Sequence, residues 1–322
     1  MPERLCLTVC AGGKSTGRIR TGAEMNKLPS ACALLALLSV LSPVPARAQG
    51  CPDSPDPNCI IIQQCQKITK SGTYVIDGNN QGPLILKGPE CITVAAPNVN
   101  LTLFHPQIDG GGHGIGVHVL KSASGFQLSG DTGGVFENLN IGVRVDANGA
   151  QILPGNFDEP LTYRNNRIGI LLNRVHGVSL GNFGFGPAMS GYQIGVKIQG
   201  GSGNSLGPWM DTTFHYPGWG GMTGPGVAVD IEHSSGNTIN GLYVVGGSGV
   251  IIGRGSSNNT IDLGFLESGG VGVEIRRGAA HNSITNNVAM SNQMDLRDDN
   301  PKCPNTWSGN TFNTAEPSNC VH

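Results

Sequence analysis

One five-residue pattern returns along the chain: aliphatic, small, aliphatic, any residue, aliphatic. It stands as IGVHV (115–119), IGVRV (141–145), IGILL (168–172), IGVKI (194–198), VAVDI (227–231) and VGVEI (271–275), with GVII (249–252) as a weaker copy. Apolar positions alternate within each copy, the period of a strand and not of a helix. The small residues fall at 116, 142, 169, 195, 228, 249 and 272, in steps of 21 to 33 residues. A second motif follows the later copies as GNSL, GNTI, NNTI, HNSI and PNTW, and its asparagines are Asn204, Asn237, Asn259, Asn282 and Asn305.

A unit this short has no room for a strand–helix–strand crossover. The repeats therefore predict an all-β, right-handed parallel β-helix of about nine coils. Residues 49–322 form it as a single domain, with 49–90 as N-terminal cap and first coil and 294–322 as C-terminal cap. Coils stack at the ordinary interstrand spacing of about 4.8 Å, so a repeated position becomes a ladder along the axis. The asparagine ladder reads as structural, because Asn tolerates corner geometry and its amide can bond to the next one.

With the aliphatic residues of each motif turned to the core, the alternate residues face out. This sets up a column His118, Arg144, Leu171, Lys197, Asp230, Ile251, Glu274. A second column runs Leu120, Asp146, Asn173, Gln199, Glu232, Gly253, Arg276. The stretch VAVDIEH (227–233) places Asp230 and Glu232 on one strand face, roughly 7 Å apart from twice the strand rise. That overlaps the carboxylate spacing of about 6.5–9.5 Å in inverting glycosidases. Lys197, one rung away, would lower one carboxylate's pKa while mutual repulsion raises the other's. Lys197, Asp230 and Glu232 are thus the candidate catalytic residues. A lyase is the other chemistry available, with Lys197 or Arg144 neutralising a uronate while a base removes the C5 proton. The same three residues also read as a solvated strand face with a cross-strand Lys–Asp pair.

Three long segments precede Ile168, Ile194 and Val227: PGNFDEPLTYR (154–164), GNFGFGPAMSGY (181–192) and GPWMDTTFHYPGWGGMTGPG (207–226). They are expected to stack into one wall beside the outward columns, and loops on a rigid scaffold often carry sites. Trp209, Phe214, His215, Tyr216 and Trp219 in the last offer aromatic faces to sugar rings, or hold the loop together as a satellite cluster. The candidate binding residues are Arg144, Arg164, Arg167, Trp209, His215, Tyr216, Trp219, Glu274 and Arg276.

The termini set the compartment. Met25-Asn26-Lys27, the apolar run 31–41 and Ala46-Arg47-Ala48 make 25–48 a secretory signal, and 1–24 reads as translation from a start codon placed too early. The apolar run is too short for a membrane span. Of 20 basic and 22 acidic residues, six and two lie before residue 49, so the rest carries a net charge of −6. That balance argues against nucleic acid. Six cysteines remain, an even count that suits disulfides in an exported chain. Cys65 and Cys91 are 26 residues apart, one coil, and should pair; Cys303 with Cys320 closes the other end, leaving Cys51 with Cys59.

CITVAAPNVNLTLFHPQIDGGG (91–112), the GVxI/GNTI units and MDLRDDNPKCPNTWSGNTFNTAEPSNC (294–320) resemble the secreted bacterial right-handed parallel β-helix proteins of the pectin-lyase-like superfamily. The resemblance spans most of residues 65–322 and implies this fold in a carbohydrate context. Of the polygalacturonase-like motifs, Gly112-His113-Gly114 occurs early and out of order, and it reads as a glycine turn. The Arg-x-Pro-x-x-Arg of pectate lyases and the Asp-Pro-His-Glu of mannuronan epimerases do not occur. Asp295, Asp298, Asp299 and Asn300 are residues that suit calcium, but they read better as capping turns, and no cofactor is expected. The expectation is a secreted or periplasmic monomer that engages a polysaccharide, an acidic one given Arg144, Arg164, Arg167 and Lys197. A lyase or inverting glycoside hydrolase in the same groove is the first alternative, a non-catalytic structural or surface-interaction solenoid the second.

Overall fold

The computed structural model describes residues 58–78, 82–130, 134–153, 155–156, 159–181, 188–207, 222–267 and 269–321. Residues 1–48, expected to be an upstream extension and a secretory signal, lie outside these residues, as do Cys51, Trp209, His215, Tyr216 and Trp219.

The described residues form short strands and no helical element, arranged as three parallel sheets. Sheet I runs from Gln66–Ile68 to Ala315–Glu316 and holds every copy of the aliphatic motif. Sheet II runs from Ile60–Ile61 to Thr306–Ser308, and sheet III from Leu84–Ile85 to Thr311–Phe312. The chain visits I, II and III in turn and then repeats, which makes a parallel β-solenoid. Its ladder steps are the sequence steps: Ile115 pairs with Ile141, Ile141 with Ile168, Ile168 with Ile194, and Ile194 with Val227. The apolar interior is continuous from Ile62 to Val321 and draws on all three sheets.

The motif differs from strict alternation at its start. Val143, Val145, Ile170, Leu172, Val229 and Ile231 are buried in the core. Ile141 and Ile168 instead join Leu171, Ile115 and Ile194 in a separate apolar cluster on the outer face of sheet I. The small residue causes this. The ladder skips from Ile141 to Val143, and a Cβ on Gly142 would come within 2.6 Å of the Gly169 carbonyl oxygen and 2.8 Å of the Tyr163 ring. The strand bends inward at that glycine, so the residue before it turns outward.

The corner between sheets I and II carries the asparagine ladder. Asn204 donates from Nδ2 to Asn237 Oδ1 at 2.9 Å, Asn237 to Asn259 at 2.8 Å, Asn259 to Asn282 at 2.9 Å and Asn282 to Asn305 at 3.0 Å. Each Oδ1 also accepts the backbone N–H of the preceding asparagine. These amides are buried and satisfied, as buried polar groups must be. Cys65 and Cys91 form a disulfide with Cα atoms 4.3 Å apart, and Cys303–Cys320 closes the other end. Cys59 is also disulfide-bonded.

Each of the three long segments contains a strand of sheet III. Each leaves a strand of sheet II, at Leu153, Leu180 and Leu206, and re-enters on a strand of sheet III, Glu159–Arg164, Ala188–Ser190 and Met222–Thr223. A whole sheet III strand therefore separates each insertion from the aliphatic motif that follows. Residues 157–158, 182–187 and 208–221 of these segments lie outside the described residues.

Candidate functional site

The outward column of sheet I is a real ladder. Thr93, His118, Arg144, Leu171, Lys197, Asp230, Ile251, Glu274 and Arg297 pair in sequence along nine rungs. Two ionic clusters lie on this face.

In the first, Lys197 Nζ sits 3.1 Å from Asp230 Oδ2 and 3.0 Å from Glu232 Oε2. The two bound oxygens are therefore within about 6 Å of each other, closer than the carboxylates of an inverting glycosidase. The ammonium fills the gap that a substrate oxygen or attacking water would need. Burial, the largest influence on Asp230, pushes its carboxyl pKa up, because its other ladder neighbour is the buried Ile251 and Lys197 is shared with Glu232. Burial pulls Lys197 the other way, but hydrogen bonds and charge from Glu232 and Asp230 outweigh it and hold the ammonium above its usual value. Glu274 and Arg276 lie further along and face each other at 3.4 Å.

In the second cluster, His118 is buried between two acids. Its Nδ1 is 2.6 Å from Glu90 Oε1 and its Nε2 is 2.7 Å from Asp146 Oδ2. Ionised carboxylates only accept hydrogen bonds, so this geometry suits a ring that donates from both nitrogens. Thr93 donates to Glu90, while Arg144 and Asn173 donate to Asp146. Burial works to raise the pKa of both acids, but the hydrogen bonds from Thr93 and His118 to Glu90, and from His118, Asn173 and Arg144 to Asp146, hold them below the usual carboxylate range. His118 and Asp146 were legible as column members. Glu90 was not, because its strand ECITV does not carry the glycine motif.

Arg164 is exposed on the outer face of sheet III, and Arg167 is exposed in the corner before Ile168. Neither joins Lys197 in one groove with Arg144. Asp295 accepts backbone N–H bonds from Asn313 and Thr314, and Asp298 accepts from Asn300, Asn305 and the Trp307 indole, all within the terminal cap. His113 lies between two glycines of positive φ, in the turn from sheet III to sheet I.

Sheet III carries a feature that was not singled out. Tyr243 and Phe265 pair on adjacent rungs and stack, with ring centroids 5.5 Å apart and planes 14° from parallel. Val244 and Leu266 beside them fill the core, so both rings point outward. The signal was present in YVV and FLE, short alternating runs 22 residues apart. Next to the rings runs a polar column: Asp109, Glu137, Arg164, Ser190, Thr223 and, beyond Val245, Glu267.

No family model matches the chain, and no curated protein is significantly similar to it. The functional reading therefore stands on the geometry of these faces. Among the described residues no helix is long and apolar enough to cross a membrane.

Proposed function

We propose that the protein is an exported, monomeric, pectin-lyase-like solenoid that engages an extracellular polysaccharide along the outer face of sheet III. The stacked Tyr243–Phe265 pair carries this reading. Two aromatic faces held outward on a rigid sheet match the apolar C–H faces of sugar rings, and the polar column beside them matches the hydroxyl rims. Three consecutive coils enter sheet III from long segments, and the last of these contains two of the chain's three tryptophans. The charges on sheet I, by contrast, are largely neutralised by one another. Arg164 is the one cation in the polar column beside Asp109, Glu137 and Glu267, so this face suits a neutral glycan better than a strongly acidic one.

A soluble glycan array, followed by titration of the best binder, tests the proposal. Tyr243→Ala and Phe265→Ala should each weaken binding about tenfold, as truncation of an aromatic anchor does, without lowering the melting temperature much. Asp230→Asn and Glu232→Gln should leave binding unchanged, and uronic-acid polymers should acquire no unsaturated or new reducing ends. Full affinity in both aromatic variants rejects the sheet III site. No binding to any glycan favours the structural solenoid. Turnover that disappears in Asp230→Asn restores the enzymatic reading.

A further inference from the structure

The corner between sheets I and II holds a recess of about 400 Å³ lined by Lys121, Asp146, Asn148, Asn173, Arg174 and His176. Its walls come from three consecutive coils, so it is about 10 Å long at the interstrand spacing. The sheet III aromatics are not among its lining residues. Its volume lies in the range of small-molecule sites, about 300–1,000 Å³.

The charge balance of this recess is unusual for an acidic chain. Asp146 is its one carboxylate, and both oxygens are already engaged: Oδ2 with His118 and Arg144, Oδ1 with Asn173. The acid is thus compensated from its own sheet. Among the described residues neither Lys121 nor Arg174 has an ion-pair partner. The exposed His176 has its Nδ1 fixed at 2.8 Å from Ser202 Oγ, which orients the ring and leaves Nε2 for another partner. Asn148 spends its carbonyl oxygen on the His176 backbone N–H and keeps its amide protons. The free groups around the cavity are therefore two cations, an oriented imidazole and amide donors.

Arg174 adds a second, independent observation. Its φ is +57°, in the left-handed region, and its counterpart one coil later is Gly200 at +72°. His233, one coil further on, shares this conformation, so the path of the corner sets it, and a long side chain there costs backbone energy relative to glycine. Here that backbone carries one of the two unpaired cations of the recess.

We propose that this recess is a binding site for a small hydroxylated molecule bearing one oxyanion, with Lys121 and Arg174 on the anion and His176, Asn148 and Asn173 on its hydroxyls. Sugar acids and sugar phosphates share that chemistry. The site is separate from the sheet III face and does not depend on polysaccharide binding there.

Calorimetric titration of the full exported protein tests it, with glucuronate, glucose 6-phosphate and glucose as probes. At least one anionic probe should bind, more weakly as salt is raised, and glucose should not; which anion binds more tightly identifies the source. Arg174→Gln and Lys121→Gln, which keep length and remove charge, should each lower that affinity about tenfold, the loss of one charged hydrogen bond. Arg174→Gly should also abolish binding while raising the melting temperature, because it relieves the left-handed backbone. Tyr243→Ala should leave this binding intact. The proposal is overturned if no anion binds at millimolar concentration, if glucose binds as well as the anions, or if the glutamine variants bind like the parent.

Discussion

At the scale of single residues, the ionic clusters of sheet I give the fold a definite response to acid. Glu90 and Asp146 have folded-state pKa values held below their ordinary values of 4.5 and 3.8. A carboxyl depressed in the folded state contributes stability that is complete above its unfolded pKa and is lost as pH falls through the folded one. Asp230 has the opposite sign. Its folded pKa is raised by burial, so it opposes folding once pH rises through that value and ceases to do so below its unfolded pKa. Asp295, whose pKa burial works to raise but hydrogen bonds in the terminal cap hold below its ordinary value, makes three such acids against one, so acid is destabilising overall. Urea unfolding midpoints should therefore fall as pH is lowered through about 4. Asp146→Asn should start less stable and show a shallower fall, since the amide cannot take up the proton. An unchanged slope in that variant would mean that Asp146 is not linked to folding.

At the scale of elements, the asparagine ladder converts a sharp corner into a repeating hydrogen-bonded unit. Asn237 is fully buried, donates to Asn259 and accepts twice from Asn204, so its truncation strands groups on both sides. Stranded buried donors cost roughly 1–3 kcal/mol each. Asn237→Ala should therefore destabilise the protein by about 3 kcal/mol in denaturant unfolding, whereas the exposed Thr238→Ala should cost little. Equal effects from the two would remove the ladder as a source of stability. This corner was readable in advance, because its asparagines recur at the coil length. A second such corner, between sheets II and III, joins one Asn pair among the described residues, Asn287 donating from its amide and its backbone N–H to Asn310, and has no such run in the sequence.

At the scale of the whole molecule, a solenoid has contacts only between neighbouring coils, so its ends are its weak points. The two described disulfides sit at those ends. Cys65–Cys91 closes 26 residues, a loop for which cross-linking contributes about 3 kcal/mol. In the Cys65→Ser/Cys91→Ser variant, hydrogen exchange should accelerate in the first two coils and stay slow around Asn237 and Val229. Uniform acceleration along the chain would show that the coils unfold as one unit and that the end cap has no local role.

Periodicity by itself determined the solenoid, the rung to which each motif belongs, the outward column, the asparagine ladder and the Cys65–Cys91 bridge. All of these depend on one quantity, the coil length, which is written directly in the spacing of repeated residues. Only the tertiary structure decided what lies beside what across different sheets. The long segments precede Ile168, Ile194 and Val227 in sequence, yet each passes through a sheet III strand before the motif begins. Gly142 reverses the direction of Ile141 because of a carbonyl on the next coil, which no local pattern reports. Glu90 meets His118, and Arg174 and Lys121 come to line one recess, through stacking between coils of unlike sequence. Spacing along the chain carries register; adjacency between faces depends on how each coil bends, and that is set by close contacts formed only after the coils have stacked.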